Sequence, residues 1–226
     1  MSKGNEFVLE QPLPLRKQVY KYLRDQIVSG NFNPTTRMVE SQIAASLGIS
    51  RTPVREALHI LEQEGFVESI PRVGYRVLEL SRRELDELIE VRRVNEALAC
   101  SMAVRNHSRK ILAALEKNLD ATQKVIENMD CESFLKCDED FHDILSMGTG
   151  CRHLNGICQM VRRLMLRYRT SSIRLKGSMQ GALDGHRSVV ACYQKKDEQG
   201  MVEAMNEHLD FVREDICNQG LDEKDE

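Results

Sequence analysis

The sequence has no run of apolar residues that approaches the roughly 20 needed to cross a bilayer. Its first residues, MSKGNEFVLEQP, lack the apolar core and the small-residue cleavage site of a signal peptide. Seven cysteines are present, but no two of them form a CxxC pair. We interpret them as reduced thiols packed as small apolar groups. These absences predict a soluble, cytoplasmic protein with no membrane partner.

The length and the charge distribution favour two domains. The chain has 226 residues, which exceeds the usual domain size of about 100–150 residues. The net charge is −3, yet residues 1–78 carry ten basic and eight acidic residues, whereas the remainder carries 22 and 27. A slightly basic first part is compatible with nucleic-acid binding but does not establish it.

Residues 15–78 follow the pattern of a small winged domain. Apolar residues recur at helical spacing from Leu15, and short helices are predicted over about 40–47 and 51–64. Ser50 is placed to cap the last of these helices through its side chain. The apolar period then changes to two, which predicts a two-stranded hairpin over 66–78. The first 14 residues are expected to form a flexible arm.

Beyond residue 80 every segment predicts a helix. Ser81 and Glu84 form a capping box before a long helix, and Ser108 is placed to cap the next. Further helices are predicted over about 131–147, 152–176, 179–196 and 198–217, and the breaks between them include Gly177-Ser178. Residues 219–226 are predicted to form a disordered tail. The expected fold is mainly α: a winged helix-turn-helix over 15–78, then an antiparallel bundle of about six helices over 79–218.

The third predicted helix has the position of a recognition helix, which enters the major groove in proteins of this architecture. Its first turns carry Arg51, Thr52 and Arg55 away from the apolar stripe. An arginine there can bind guanine through two hydrogen bonds, and the free N–H groups of a helix start suit a phosphate. Arg72 and Gly74 of the wing are placed to approach the flanking DNA. The alternative is that these arginines form a solvated helix face.

The stretch over residues 39–77 closely resembles the winged helix-turn-helix of the GntR family. The shared patterns are SRTPVREAL, the LxxEGF that follows it and a final PxxGxxV. The match covers about residues 15–78 with its register intact. This resemblance implies a homodimer on a palindromic operator, with the segment from Ser50 in the groove. It also implies that Arg51, Thr52 and Arg55 contact bases and phosphates, and that the wing around Arg72 makes flanking contacts.

Asp138 and His142 are separated by four residues, so they lie one turn apart on the same helix face and can reach one ion. His186 and His208 lie in two later predicted helices. They complete a set of three imidazoles and one carboxylate if those helices face the first one. Such a set suits zinc, nickel, manganese or iron without choosing between them. The alternative for each histidine is a core or surface residue that binds no metal.

The second part of the chain resembles the helical sensor domain of the FadR-type branch of that family, often called the FCD domain. It carries a DxxFH motif over 138–142 and later helices with single histidines in GHR and EHL. The resemblance covers about 82–217 and is looser than the first. It implies a divalent metal ion held by Asp138, His142, His186 and His208, with organic-acid ligands beside or on it. Cys151 stands where the family usually has asparagine, which puts the local helix start in doubt.

Arg92 and Glu96 resemble the RxxxE pattern of that branch. Arg92 is expected to point inward and pair with a ligand carboxylate, because a buried arginine needs an anionic partner. The alternative is an Arg92–Glu96 ion pair on the helix surface. A later helix is strongly basic, and we interpret most of its arginines as a solvated or interdomain face: Arg162, Arg163, Arg167, Arg169 and Arg174.

The sequence therefore predicts a ligand-responsive regulator that binds operator DNA as a homodimer and senses a small organic acid through a bound metal ion. A regulator for which the metal ion itself is the signal is the first alternative. A metal-dependent enzyme with an appended DNA-binding domain is the second. That enzyme would need a carboxylate or histidine as its general base, for which Glu139 or Asp140 are candidates, but the chain has no HExxH motif.

Overall fold

A computed structural model describes residues 14–79, 81–173 and 176–218, except for the side chains of Ser171 and Lys176. The predicted flexible arm over residues 1–14 lies outside this range apart from Pro14, and the predicted disordered tail over 219–226 lies outside it entirely. The described residues form two compact units that divide between Leu78 and Glu79.

The two units differ in architecture. The first contains, in chain order, α1 (Leu15–Val28), β1 (Arg37–Met38), α2 (Glu40–Leu47), α3 (Arg51–Gln63), β2 (Val67–Ile70) and β3 (Gly74–Val77). The second contains α4 (Arg82–Arg105), α5 (Arg109–Glu127), α6 (Cys131–Gly148), α7 (Arg152–Ser172), α8 (Lys176–Lys195) and α9 (Glu198–Asn218). The predicted mainly helical fold, with a winged helix-turn-helix before a helical domain, is confirmed.

The first unit is organised around α3. Its apolar residues Val54, Leu58 and Leu61 follow helical spacing and are fully buried, so one face of α3 packs inward against α1. Gly48 ends α2 in the left-handed conformation, with a φ of 66°. Ser50 precedes α3 as expected, but its side chain makes no capping hydrogen bond, so that part of the prediction is wrong.

The wing is a three-stranded antiparallel sheet in the order β1-β3-β2, not a hairpin alone. The sequence predicts β2 and β3, which pair from Val67 with Val77 to Ile70 with Gly74. It does not predict β1, because a strand of two residues has no alternating apolar pattern. In β1, Met38 pairs with Tyr75 and its side chain is buried in the core of the unit.

The second unit is built around α4, which contacts α6, α7 and α9. The predicted cap of α4 is confirmed, since the Ser81 side chain accepts a hydrogen bond from the Glu84 backbone N–H over 3.3 Å. The Ser108 side chain makes no such bond. The Ser108 backbone N–H donates to the hydroxyl of buried Tyr193 over 3.0 Å.

Three further expectations can be compared with this unit. The break expected at Gly177-Ser178 is wrong, since both residues lie within α8. Cys151 precedes α7 without a side-chain cap, yet α7 still starts at Arg152 as the sequence predicts. All seven cysteines are free thiols. Across the described helices, none combines the length and the apolar character that a membrane crossing requires.

The wing turn depends on Gly74. Its φ is +126°, and a Cβ built there would lie 2.4 Å from the Met38 carbonyl oxygen. We expect Gly74→Ala to lower the free energy of unfolding of the first unit by about 2–4 kcal/mol, because it combines backbone strain with a clash. Gly30→Ala is the matched control, since Gly30 has a φ of +79° but no described atom within 4 Å of a Cβ. The control substitution should lower the free energy of unfolding by about 1 kcal/mol, and urea denaturation measures both variants. Equal losses for the two variants would contradict the clash.

Candidate DNA-reading surface and candidate metal centre

The exposed face of α3 carries the polar residues that the sequence places there. Arg51, Thr52 and Arg55 are exposed, whereas Val54 between them is fully buried. Ser50 is exposed at the start of the same helix. The amphipathic spacing of α3 therefore fixes which side chains are available to an external partner.

An open cleft of about 400 Å³ lies between the start of α3 and the wing. Arg51, Arg72 and Gly74 are among the residues that line it, so the structure brings these three predicted residues together. Ser50, Thr52 and Arg55 do not line this cleft. Arg72 adopts a φ of +65° at the tip of the wing, where its side chain is exposed.

Arg51 has an internal anionic neighbour. Its guanidinium contacts the Glu40 carboxylate over 3.2 Å, although 70% of the Arg51 side chain remains exposed. An exposed ion pair of this kind is weak, typically below about 1 kcal/mol, so a phosphate or a base edge could replace the carboxylate. The surface thus carries Arg51 and Arg55 near the start of α3, an arrangement suited to binding a polyanion.

In the second unit, one acidic and three histidine side chains converge from three helices. Asp138 and His142 lie on α6, His186 on α8 and His208 on α9. One potential ligand atom from each lies within 4.8 Å of all the others. The three histidines are buried, while 15% of the Asp138 side chain is exposed. The structure therefore brings together all four residues of the predicted metal set.

Neighbouring residues hold the imidazoles in place. The His186 ring stacks on Phe141, with centroids 3.7 Å apart and an interplanar angle of 9°. The His186 and His208 centroids are 4.5 Å apart. A Cβ on Gly185 would lie 2.7 Å from His208 Nδ1, so a glycine is needed there for α8 and α9 to bring these histidines together.

The nitrogen atoms of the cluster have few protein partners. Neither ring nitrogen of His186 has a hydrogen bond among the described residues, and the same is true of His208 Nδ1. A buried polar atom without a partner costs about 1–3 kcal/mol, which a bound cation would offset by accepting the nitrogen lone pairs. Three imidazoles and a carboxylate are also a donor set typical of transition-metal sites. The residues present therefore fit a divalent ion.

The ionisation states favour the same interpretation. Burial lowers the pKa of His186 to about 3 and that of His208 well below its ordinary value, so both rings are neutral and have a free lone pair. Burial alone would raise the pKa of Asp138, but its charged neighbours, with Arg169 first and Arg92 among the others, outweigh it and lower the pKa to about 2. Asp138 is therefore a carboxylate. Neutral imidazole and ionised carboxylate are the metal-binding forms.

Arg92 points inward, beside this cluster. Its guanidinium donates to His142 Nε2 over 3.2 Å and contacts Glu96 over 3.5 Å, and both Arg92 and Glu96 are buried. The ion pair considered for the helix surface thus exists, but in the interior. Arg92 Nε has no hydrogen-bond partner among the described residues, so a donor remains for an anionic ligand.

The sequence did not reveal that Glu96 is buried beside the histidine cluster. Its carboxylate lies 3.1 Å from Arg162 and 3.4 Å from His142 Nδ1, in addition to its contact with Arg92. Burial alone would raise its pKa, but His142 and the two arginines outweigh that effect and lower it. A signal was available, because Glu96 lies in the helical stripe of α4 that contains the buried residues Ile89 and Ala99.

The solvated arginine face expected on α7 is wrong for three of its members. Arg162, Arg167 and Arg169 are buried, because each has an acidic partner on another helix of the unit. Arg162 contacts Asp143 as well as Glu96, Arg167 contacts Glu84, and Arg169 contacts Asp138 over 3.4 Å. Arg163 is exposed as expected, and Arg174 lies outside the described residues.

Two family models match the chain. The model described as bacterial regulatory proteins, gntR family, matches residues 15–77, and the FCD domain model matches residues 87–211. The match to the FCD domain alone covers more than half of the chain.

Individual proteins are similar over nearly the whole length. The HTH-type transcriptional regulator YdhC of Bacillus subtilis is 30% identical over 206 residues, which is 91% of this chain and 90% of that protein. The gluconate operon transcriptional repressor of Bacillus subtilis is 27% identical over 86% of this chain and 82% of its own length. The solved structure of E. coli McbR/YncC superposes with a TM-score of 0.70 at 25% identity, covering 92% of this chain and 99% of the other.

The contacts of Glu96 predict a large effect on stability. We expect Glu96→Ala to lower the free energy of unfolding by about 3–5 kcal/mol, because it leaves Arg92 and Arg162 buried without this carboxylate. Glu87→Ala is the matched control on the same helix, where an exposed carboxylate contacts Arg83. That change should cost less than about 1 kcal/mol. Urea unfolding followed by circular dichroism measures both, and a loss for Glu96→Ala no larger than the control would contradict the assigned role.

Proposed function

Because this chain belongs to the GntR family of bacterial regulatory proteins and carries an FCD domain, we propose that it regulates transcription in response to a small organic acid. It is a DNA-binding transcription regulator, and its two domain families are those of regulators rather than enzymes. In the proposal it acts in the cytoplasm, where bacterial DNA lies, as a homodimer on a palindromic operator.

The exposed residues of α3 and the wing supply the proposed DNA contacts. Arg51 and Arg55 read base edges or phosphates in the major groove, and Thr52 and Ser50 contact the backbone near the helix start. Arg72, beside the side-chain-free Gly74, approaches the flanking backbone or minor groove. The shared cleft of Arg51 and Arg72 supports this assignment, since one DNA backbone could follow it.

The observation that carries the sensing proposal is the buried cluster of Asp138, His142, His186 and His208, whose ligand atoms lie within 4.8 Å of one another. These four residues would hold the divalent ion, which is zinc, nickel, manganese or iron in the proposal. When bound, the ion would supply positive charge and open coordination positions for a carboxylate. Arg92 would bind and orient that carboxylate, since it is a buried guanidinium with an unpartnered Nε.

The relatives support testing sugar acids first. One of them is named as the repressor of the gluconate operon in Bacillus subtilis, and gluconate is itself a small organic acid. In the proposed mechanism, an acid bound near Arg92 shifts the relative placement of the two recognition helices in the dimer. Because the half-sites lie about one helical turn apart, a displacement of a few ångströms would change operator affinity.

The alternative that the metal ion is the signal remains a second candidate. Its support is that the four ligand residues already form a complete set without any effector. Operator binding by the purified protein, measured by gel shift with and without gluconate and related acids, distinguishes acid sensing from metal sensing. Affinity that changes with an acid at fixed metal concentration supports acid sensing. Affinity that follows metal concentration and ignores every acid supports the alternative.

The DNA contacts can be tested by substitution. We expect Arg51→Ala and Arg55→Ala each to weaken binding to the cognate operator by about 1–3 kcal/mol, because each removes a base or phosphate contact. Arg109→Ala is the control, since Arg109 is an exposed arginine of the helical unit. Fluorescence anisotropy at one fixed salt concentration gives the dissociation constants. Unchanged affinity in both α3 variants would exclude α3 as the recognition helix.

The metal centre can be tested by metal content. We expect His186→Ala to lose most of the bound metal while the protein stays helical, because the variant removes one of four ligands but keeps the surrounding core. His153→Ala is the matched control, since His153 is exposed on α7. Mass spectrometry of the purified proteins measures metal per chain. If His186→Ala retains full metal content, the proposed ligand set is wrong.

A further inference from the structure

The turn at the tip of the wing holds an arginine in an unfavourable backbone conformation. The Val73 backbone N–H donates to the Ile70 carbonyl over 3.0 Å, which closes a four-residue turn with Pro71 second and Arg72 third. Arg72 has a φ of +65°. Proline fixes its own φ at about −65°, so the turn is of type II, which favours glycine or asparagine in third place. The chain therefore keeps a long basic side chain where glycine would be less strained.

The strain at Arg72 points to a function for its side chain. Backbone strain persists only where the surrounding structure holds it, and it clusters at functional sites. The Arg72 side chain is exposed, and it lines the same cleft as Arg51. The direction of this side chain follows from the backbone of the turn. Whatever fixes the turn therefore also fixes where the Arg72 guanidinium lies.

The strand β1 supports this turn from outside the hairpin, through two neighbouring residues. The Arg37 Nε donates to the Val73 carbonyl over 2.9 Å. The Met38 carbonyl lies so close to Gly74 that no Cβ fits there. Val73 and Gly74 directly follow Arg72 in the chain. The strand β1 thus contacts both residues that come after the strained arginine.

The position of Arg37 in the sheet gives a second indication. Arg37 and Arg76 lie directly opposite each other in the β1–β3 pair. Like charges at opposite positions of an antiparallel pair are destabilising. Arg76 forms an ion pair with Glu68 on β2, whereas Arg37 contacts the turn. Arg37 is exposed, so packing does not require an arginine there, and the bond to the Val73 carbonyl gives a physical reason for one.

We propose that Arg37 is a positioning residue for DNA recognition. Its hydrogen bond to the Val73 carbonyl holds the wing turn in the conformation that presents Arg72 to DNA. Arg37 does not line the cleft between α3 and the wing, so it acts on an occupant of the cleft through the turn. The inference rests on the proposed function for the contact between Arg72 and DNA, and it adds the residue that fixes this contact.

A double-mutant cycle in the full-length protein tests whether Arg37 acts through Arg72. The probe is a DNA duplex that the unchanged protein selects from a random-sequence pool, and fluorescence anisotropy at one salt concentration gives the dissociation constants. Arg72→Ala should raise the dissociation constant at least about tenfold. Arg37→Ala should raise it about three- to tenfold, because one hydrogen bond no longer holds the turn. Adding Arg37→Ala to Arg72→Ala should then change it less than about twofold, since the positioned guanidinium is gone.

The opposite results of this cycle are also informative. If the double variant binds more weakly than Arg72→Ala by the full factor that Arg37→Ala causes alone, the proposal is overturned, because Arg37 then acts independently of Arg72. An Arg37→Ala protein that binds as tightly as the unchanged protein overturns it as well. Arg16→Ala is the matched control, since it removes the same charge from an exposed position on α1 of the same unit.

Amide hydrogen exchange in the DNA-free protein tests the positioning itself. Arg37→Ala should speed exchange of the Val73 amide, whose hydrogen bond closes the turn, at least about fivefold. The amides of α3 should keep their protection, and Arg16→Ala should leave the wing unchanged. Faster exchange throughout the first unit would show a general loss of stability and overturn the positioning role, as would an unchanged rate at Val73.

Arg72→Gly tests the strain in the turn. Glycine adopts a positive φ without steric cost, so this variant should have a higher Tm than Arg72→Ala and yet bind the selected duplex as weakly. A Tm below that of Arg72→Ala would contradict the strained conformation.

These measurements separate this inference from the proposed function. If Arg51→Ala loses affinity while Arg72→Ala and Arg37→Ala do not, α3 remains the recognition helix and the role of the wing is overturned. If the unchanged protein selects no duplex, the proposed function is overturned. The exchange rate at Val73 would still decide whether Arg37 holds the turn.

Discussion

The helical unit depends on the balance of the charges that it buries. Arg92, Arg162 and Arg169 are removed from water, and the carboxylates of Glu96 and Asp138 lie within 3.1–3.5 Å of them. An uncompensated charge in such an environment costs several kcal/mol, so the helices that carry these residues must keep their mutual positions. The same contacts fix the positions of the metal-binding candidates, because Asp138 contacts Arg169 and His142 contacts Arg92 and Glu96.

The sequence predicted an element well where the spacing of apolar residues within that element alone identifies it. In α3, the spacing of Val54, Leu58 and Leu61 identified both the helix and its buried face. The strand β1 has only two residues and forms because it pairs with β3, so no pattern within β1 itself could predict it. Ser108 precedes α5 as predicted, but its side chain makes no capping hydrogen bond, and its backbone N–H donates to Tyr193, 85 residues away.

The residues of the candidate site likewise fall into those that the sequence predicted and those that it missed. The spacing of Asp138 and His142 predicted one side of the cluster, since both lie on α6, and the resemblance to the FCD domain indicated the two other histidines. The buried arginines of α7 were missed because a charged residue on a helix usually faces water. Their burial depends on acidic partners on α4 and α6, and the register between helices is a property of packing rather than of sequence spacing.

These contacts give a physical route from an effector to the arrangement of two helices. Arg92 is held by Glu96, and Glu96 also holds Arg162, so α4 and α7 share one buried carboxylate. An acid that binds Arg92 would compete with Glu96 for that guanidinium and change the balance between the two helices. In the proposed mechanism, a bound acid would act by changing the relative position of these two helices.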